Sequence, residues 1–151
     1  MTKTIENLLH VRQPILTLVE GLSPDALNKV PEGFNNNIIW NMAHLVSAQQ
    51  GICYVRAGLK PRIEEQYLIP YRPGTKPEGP ADSTELERVK ESMISSIEMV
   101  VPDLENNLFT NYTPWTTRYG LSIATIDEAL GFLLFHEGLH FGTILALKKF
   151  V

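Results

Sequence analysis

The segment TIDEALGFLLFHEGLHFGTILALKK, residues 125–149, predicts a long helix and decides the fold class. Thr125 and Glu128 have the spacing of a capping box, in which the two side chains satisfy backbone N–H groups at the start of a helix. Apolar residues then recur every three or four positions, as they do on one helical face. Together with two histidines of the same spacing, they are Ile126, Ala129, Leu130, Leu133, His136, His140, Ile144 and Leu147. We therefore predict a helix from Ile126 to about Lys149 whose buried face includes two histidines.

Two further helices are predicted in the first third of the chain, where strand patterns are poor. The first covers about residues 4–22, and Pro14 lies inside it, so we expect a kink or a break one residue earlier. The second begins at a cap, Asn36 or Asn37, and stops near Gly58. The second helix is apolar on most of its circumference, which predicts a central position in the fold.

A third helix is predicted to begin at a capping box formed by Thr84 and Glu87 and to end near Val101. Residues 60–82, which precede it, contain five prolines and two glycines, so we expect neither helix nor strand there. A connection of this length suits a crossover between two helices that point the same way. Residues 102–124 are less regular and are predicted to be mainly loop.

These elements predict an all-α fold, a four-helix bundle with one long crossover between the second and third helices. The 151 residues are enough for a single domain, 1–151. A net charge of -4 with scattered basic residues argues against a nucleic-acid partner. A polar start to the sequence, a single cysteine and no apolar run long enough to cross a bilayer lead us to expect a cytoplasmic protein without disulfides.

The histidines of the opening segment form a pair that is suited to metal binding. His136 and His140 are four residues apart, so they lie one above the other on the same helical face. Two imidazoles in an apolar stripe need polar partners, because burying an unpaired polar group is costly. His44 lies in the middle of the apolar second helix, at a similar depth if the two helices run antiparallel. The three histidines are therefore candidate ligands for one divalent metal ion, with positions left open for water or substrate.

The sequence HEGLH, residues 136–140, also fits the H-E-x-x-H pattern of zinc peptidases, with Glu137 as general base. The metzincin extension of that pattern requires a glycine and a histidine where this chain has Thr143 and Ala146. Other such families draw a third ligand from a later helix, and eleven residues follow His140. No strand pattern offers an edge to an extended peptide. A peptidase is therefore a minor alternative.

Three stretches resemble, in the same order, segments of the DinB superfamily of metalloenzymes. They are NNIIWNMAHLVSAQQ (36–50), YRPGTKP (71–77) and FHEGLHFGTILALKK (135–149). The resemblance implies a bundle in up-down-down-up order and often a homodimer. It also implies that His44, His136 and His140 are the metal ligands, commonly for zinc or nickel.

Known activities in that superfamily include low-molecular-weight-thiol S-transferases and a thiol-dependent isomerase, so the resemblance implies a small-molecule substrate. A hydrolase and a non-catalytic metal-binding or stress-associated protein remain alternatives. Glu137 lies about 60° around the helix from His140. It is the candidate catalytic residue, either to orient a ligand or to move a proton, although a partly exposed helix glutamate is the simpler interpretation. Asn41 and Ser47 share the face of His44, where each can hold an imidazole or satisfy a carbonyl.

Overall fold

The computed structural model describes residues 2–151 and is built mainly from helices. In chain order these are α1 (Lys3–Val19), α2 (Pro24–Asn28), α3 (Ile38–Cys53), α4 (Ser83–Glu98), α5 (Val100–Glu105) and α6 (Ile126–Leu147). Of the four long helices, α1 packs against α4 and α6, and α3 packs against the same two. The predicted all-α class is confirmed, whereas the up-down-down-up order remains a prediction.

Two of the three caps predicted for the long helices are confirmed, those of α3 and α6. The side chain of Asn37 accepts a hydrogen bond from the Trp40 amide at 2.8 Å and starts α3. Thr125 likewise caps α6. The predicted capping box of Thr84 and Glu87 is wrong, because Asp82 caps α4 through a 2.9 Å bond from the Glu85 amide. Aspartate is at least as good a cap as threonine, and its earlier position adds half a turn of helix.

Pro14 and Pro102 have different effects on the helices in which they lie. Of the kink or break predicted near Gln13, the break does not occur, because α1 continues through Pro14. Pro14 has no N–H to donate, so the carbonyl of His10 lacks a hydrogen-bond partner within the helix. Both residues are exposed, so water can bond to that carbonyl instead. The predicted third helix instead ends at Glu98, and Pro102 lies in the first turn of α5, where proline is tolerated.

The two long connections are less featureless than predicted. The crossover contains two single turns of 3-10 helix, Glu65–Tyr67 and Ile69–Tyr71. The loop before α6 contains a short antiparallel hairpin of β1 (Trp115–Thr116) and β2 (Ser122–Ile123). The crossover packs on α3, where it bonds to His44 and Ser47, and the loop before α6 packs on Phe132 and Phe135 of α6.

Among the described residues, one helix is long and apolar enough to cross a membrane by length and composition. It is Ile126–Phe150, with a hydropathy of 1.4 in its most apolar window, of which 39% is buried. The sequence expectation concerned an uninterrupted apolar run, whereas this helix meets the criterion by averaged hydropathy, which tolerates polar residues such as His136 and Glu137. Length and composition are weak evidence for a membrane span, because the core helix of a bundle meets the same criteria.

Candidate metal centre

The structure brings the three predicted histidines together. His44 projects from α3, and His136 and His140 project from successive turns of α6. One nitrogen of each ring lies within 4.8 Å of the others. The ring centroids of His44 are 5.3 Å from His136 and 4.7 Å from His140. The i, i+4 spacing on one helix and a single histidine on its neighbour thus produce the cluster that the sequence predicts.

Two of the imidazoles are held by hydrogen bonds on the side away from the cluster. His44 Nδ1 lies 2.6 Å from the carbonyl oxygen of Tyr71, and His140 Nδ1 lies 2.8 Å from Oδ1 of Asn41. Because these oxygens accept hydrogen bonds, each Nδ1 is the protonated donor and each Nε2 keeps a free lone pair. The Asn41 amide nitrogen donates to the Asn37 carbonyl at 2.7 Å, which turns its oxygen towards His140. Asn41 therefore does both of the things that the sequence allowed: it holds an imidazole and it satisfies a backbone carbonyl.

The surroundings keep all three rings neutral. Desolvation by burial, followed by the charges of His140 and His44, lowers the pKa of His136 to about 3. Burial and the charge of His44 lower the pKa of His140 to about 4. Burial also lowers the pKa of His44, although its hydrogen bond to the Tyr71 carbonyl acts in the opposite direction. Neutral imidazoles are the form that binds metal ions.

The three donors fit a divalent transition metal. Around a tetrahedral ion with metal–nitrogen distances of about 2.0–2.1 Å, the ligand nitrogens lie about 3.4 Å apart. The observed spacing, within 4.8 Å, can be closed by small side-chain rotations. His136 Nδ1 is buried without a hydrogen-bond partner, so this ring has a donor atom still to be satisfied. The carbonyl and amide partners of the other two rings are those that commonly orient metal-bound histidines.

Comparison with known proteins agrees with this geometry. The sequence pattern of the DinB superfamily matches residues 7–144, a span that includes all three histidines. The chain belongs to the DinB superfamily. None of the curated proteins matches this chain. The superfamily is associated with metals, which supports a metal ion at the histidine cluster of this DinB chain without identifying the element.

Glu137 of the DinB chain is fully buried, and the expectation of a partly exposed glutamate is wrong. Its Oε1 accepts hydrogen bonds from Nε and Nη2 of Arg12 at 2.9 and 2.7 Å. Both side chains are 0% exposed. Arg12 lies four residues after Leu8 and three before Ile15, both buried, and so occupies a core position on α1. A charged residue within that apolar stripe was the sequence signal for a buried partner, and it was missed.

Arg12 connects the two ligand-bearing helices. Its Nη2 also donates to the carbonyl of Leu45, the residue after His44, at 3.1 Å. Glu137 is the residue after His136. The Arg12 guanidinium therefore contacts a neighbour of a ligand on each helix, the Leu45 backbone on α3 and the Glu137 side chain on α6. Arg12 Nη1 completes the set with bonds to α4, at 2.9 Å to both the Met93 carbonyl and Ser96 Oγ. Both bonds to Glu137 end at Oε1, and Oε2 is buried without a partner. The ion pair fixes Glu137 beside His136 and so favours a positioning role for it.

Trp40 covers one side of the cluster. Its ring stacks on His44 with centroids 4.7 Å apart and an interplanar angle of 9°. Trp40 is 6% exposed and belongs to the core. It also lines a cavity of about 440 Å³ between α3 and the crossover, which none of the three histidines lines. Ser47, by contrast, donates to the Leu68 carbonyl at 2.9 Å and therefore fastens the crossover rather than a ligand.

The loop before α6 covers part of the helix that carries two of the histidines. The Trp115 ring meets Phe132 edge-on at 5.8 Å, and the Tyr119 ring meets Phe135 edge-on at 5.2 Å. Phe132 and Phe135 lie within one turn of His136. Trp115 and Tyr119 are thus beside the turn of α6 that leads to His136. His10, the fourth histidine of the chain, is exposed on α1 and lies outside the cluster.

Proposed function

We propose that this DinB protein is a metal-dependent enzyme that binds zinc or nickel through His44, His136 and His140. Its substrate is a small molecule, and its activity is thiol S-transfer, with hydrolysis as the second candidate. The observation that carries this proposal is the convergence of three neutral imidazoles, two buried and one partly buried, of which the rings of His44 and His140 are held through Nδ1 so that Nε2 is free. Three protein ligands leave coordination positions open, as catalytic sites do and structural sites do not.

The protein supplies orientation and a partly dry environment for that chemistry. A divalent ion at this site keeps its charge, because its ligands are neutral, and lowers the pKa of a thiol or water molecule that reaches it. The Tyr71 carbonyl and Asn41 fix two of the rings, and Trp40 shields His44 from solvent. His140 is only partly buried, so substrate has access from its side of the cluster.

A peptidase is supported less well than an enzyme of thiol chemistry. Glu137, the general base in the peptidase interpretation, is engaged by Arg12 inside the core. Within residues 2–151 the only strands are the two-residue β1 and β2, which provide little edge for an extended peptide. A non-catalytic metal-binding protein shares the histidine site and is distinguished by assay.

We further propose that the protein forms a homodimer through α6. Phe135 and Leu139 are 46% and 39% exposed, and their spacing of four residues places them on one face of the helix. Exposed apolar side chains that share a helical face are typical of association sites.

The activity is tested by measuring transfer of several cellular thiols to an electrophile, with metal-free protein and with protein reloaded with zinc or nickel. A rate that requires metal and disappears in His44→Ala supports the enzyme. His10→Ala is the matched control, because His10 is exposed and outside the cluster. The absence of any metal-dependent rate across a broad panel of thiols supports the binding role instead. Peptide cleavage that a chelator abolishes supports the peptidase.

A further inference from the structure

The cavity of about 440 Å³ that Trp40 lines is formed mainly by the first turns of α3 and α4 and by the crossover. Its volume lies in the range of small-molecule sites. Trp40 and Tyr71 line it, and both also contact His44, the first by stacking and the second through its carbonyl oxygen. None of the three histidines lines the cavity, so it adjoins the candidate metal centre without being part of it.

Hydrogen bonds hold the walls of this cavity in place. At one end of the loop formed by residues 76–80, Thr75 Oγ1 accepts a hydrogen bond from Nε1 of Trp40 at 3.2 Å. At the other end, the side-chain amide of Asn28 bonds to both the amide and the carbonyl of Ala81, at 2.8 and 3.0 Å. The loop is thus anchored on both sides and forms one wall of the cavity.

One carboxylate of the lining is fixed in position without a cation. Glu85 is half-buried, and its Oε1 accepts a 2.7 Å hydrogen bond from the Tyr71 hydroxyl. Burial, followed by the hydrogen bond and the charge of Glu85, raises the pKa of Tyr71, so the hydroxyl keeps its proton and remains the donor. Among residues 2–151, no nitrogen of a lysine, arginine or histidine lies within 4.0 Å of the Glu85 carboxylate.

The other polar groups of the lining do not compensate this charge. Glu78 and Lys76 are exposed residues of the loop, and neither forms an ion pair with any residue of the described chain. The side-chain amides of Asn28 and Asn37 already bond to the backbone. The lining therefore carries two carboxylates against one ammonium group, and the carboxylate of Glu85 is the one that the fold holds in place.

Apolar groups make up most of the remaining lining. They include Ile39 and Trp40 of α3 and three prolines of the crossover, Pro70, Pro77 and Pro80. Tryptophan is the aromatic side chain that attracts cations most strongly. An occupant that suits this lining therefore has an apolar body and a positive charge.

We propose that this cavity is a second ligand site, which binds a small organic cation with an ammonium group and an apolar body. The ammonium group donates a charge-assisted hydrogen bond to the Glu85 carboxylate. The apolar body packs on Ile39 and Trp40 and is removed from water there. This site goes beyond the proposed metal chemistry, and its occupant contacts Trp40 and Tyr71, the residues that cover and orient His44.

Nuclear magnetic resonance of isotope-labelled protein tests binding at this position, because the chain has two tryptophans. The indole N–H signal of Trp40 reports on the cavity, and that of Trp115, which donates to Tyr112 outside it, is the internal control. The probes are phenethylamine and its neutral analogue, phenethyl alcohol. We expect the Trp40 signal to shift and saturate while the Trp115 signal stays, and the amine to bind about tenfold more tightly than the alcohol.

Two variants of α4 separate the cavity carboxylate from charge in general. Glu85→Gln keeps an oxygen that accepts the Tyr71 hydrogen bond but removes the charge, so it should bind the amine and the alcohol equally well. Glu98→Gln removes an exposed carboxylate at the opposite end of the same helix and should keep the tenfold ratio.

Three results overturn the inference. The first is a wild-type Trp40 signal that does not move with the amine up to about 10 mM. The second is equal affinity of the wild type for the two probes, and the third is a Glu85→Gln variant that keeps the preference for the amine. The titration uses metal-free protein, because an amine can itself bind a metal ion. A failure of the proposed metal-dependent function therefore leaves its outcome unaffected.

Discussion

Replacing Arg12 with methionine tests whether its ion pair with Glu137 holds the core together. The change removes five hydrogen bonds, including both that reach the Glu137 carboxylate, and leaves that carboxylate fully buried. Removing one partner of a buried ion pair costs about 3–5 kcal/mol, because the remaining charge is left without compensation. We therefore expect Arg12→Met to lower the free energy of unfolding by that amount.

The double variant Arg12→Met/Glu137→Met supplies the control. It removes both charges and fills the space with apolar side chains, a change that is often neutral or stabilising for a buried pair. We expect it to recover most of the stability that Arg12→Met loses, with a coupling energy of about 2 kcal/mol or more. Lys3→Met, which removes an exposed cation from the same helix, should change little.

The assay is urea unfolding of the metal-free proteins, monitored by circular dichroism. Free energies of unfolding are compared between variants whose m-values are equal. If Arg12→Met lowers the free energy of unfolding by less than about 1 kcal/mol, the reasoning is refuted, because a buried carboxylate without its partner should destabilise the protein by more than that. So does a double variant as unstable as the single one. If Arg12 also positions the ligands, the refolded double variant binds zinc about tenfold more weakly than the wild type.

Three more predictions follow from the site and the surface of α6. In metal-free protein, the unfolded chain binds protons that the folded chain does not between pH about 6.5 and 4, because the folded pKa values of His136 and His140 are about 3 and 4. The free energy of unfolding should therefore fall as the pH drops through this window, by up to about 1.4 kcal/mol per pH unit for each histidine. Unfolding at several pH values measures this dependence, and His140→Gln should reduce the slope of the free energy against pH. Asn41→Leu should weaken zinc binding about tenfold in a competition titration, because His140 loses the acceptor that fixes its tautomer; unchanged affinity contradicts this. Leu139→Glu should convert a dimer to a monomer in light scattering, and a wild type already of monomeric mass rules out the dimer.

The histidine cluster was predictable from the sequence because its geometry is mostly local. The i, i+4 pair needs only one helix, and His44 needs only a second apolar helix beside it. The position of Arg12 in the apolar stripe of α1 indicated a buried partner, but the sequence did not identify that partner, because Glu137 lies 125 residues away and only the packing of α1 against α6 brings them together. Glu137 itself was misjudged for the same reason.

Other errors came from competition between neighbouring signals. Asp82 and Thr84 are both good caps, and their order along the chain decided the start of α4. β1 and β2 have two residues each, which is too short for a period-two pattern to be visible. The hairpin before α6 was therefore read as loop, and its place against that helix became evident only from the packing of Tyr119 on Phe135.

The metal content of the protein tests the central claim most directly. Protein prepared without a nickel column, and then reloaded with zinc or nickel, should contain about one equivalent of metal per chain by elemental analysis. His44→Ala and His140→Ala should lose it to a similar extent, while His10→Ala keeps it. Less than about 0.2 equivalents in the reloaded wild type, or full occupancy in His44→Ala, contradicts a three-histidine metal centre.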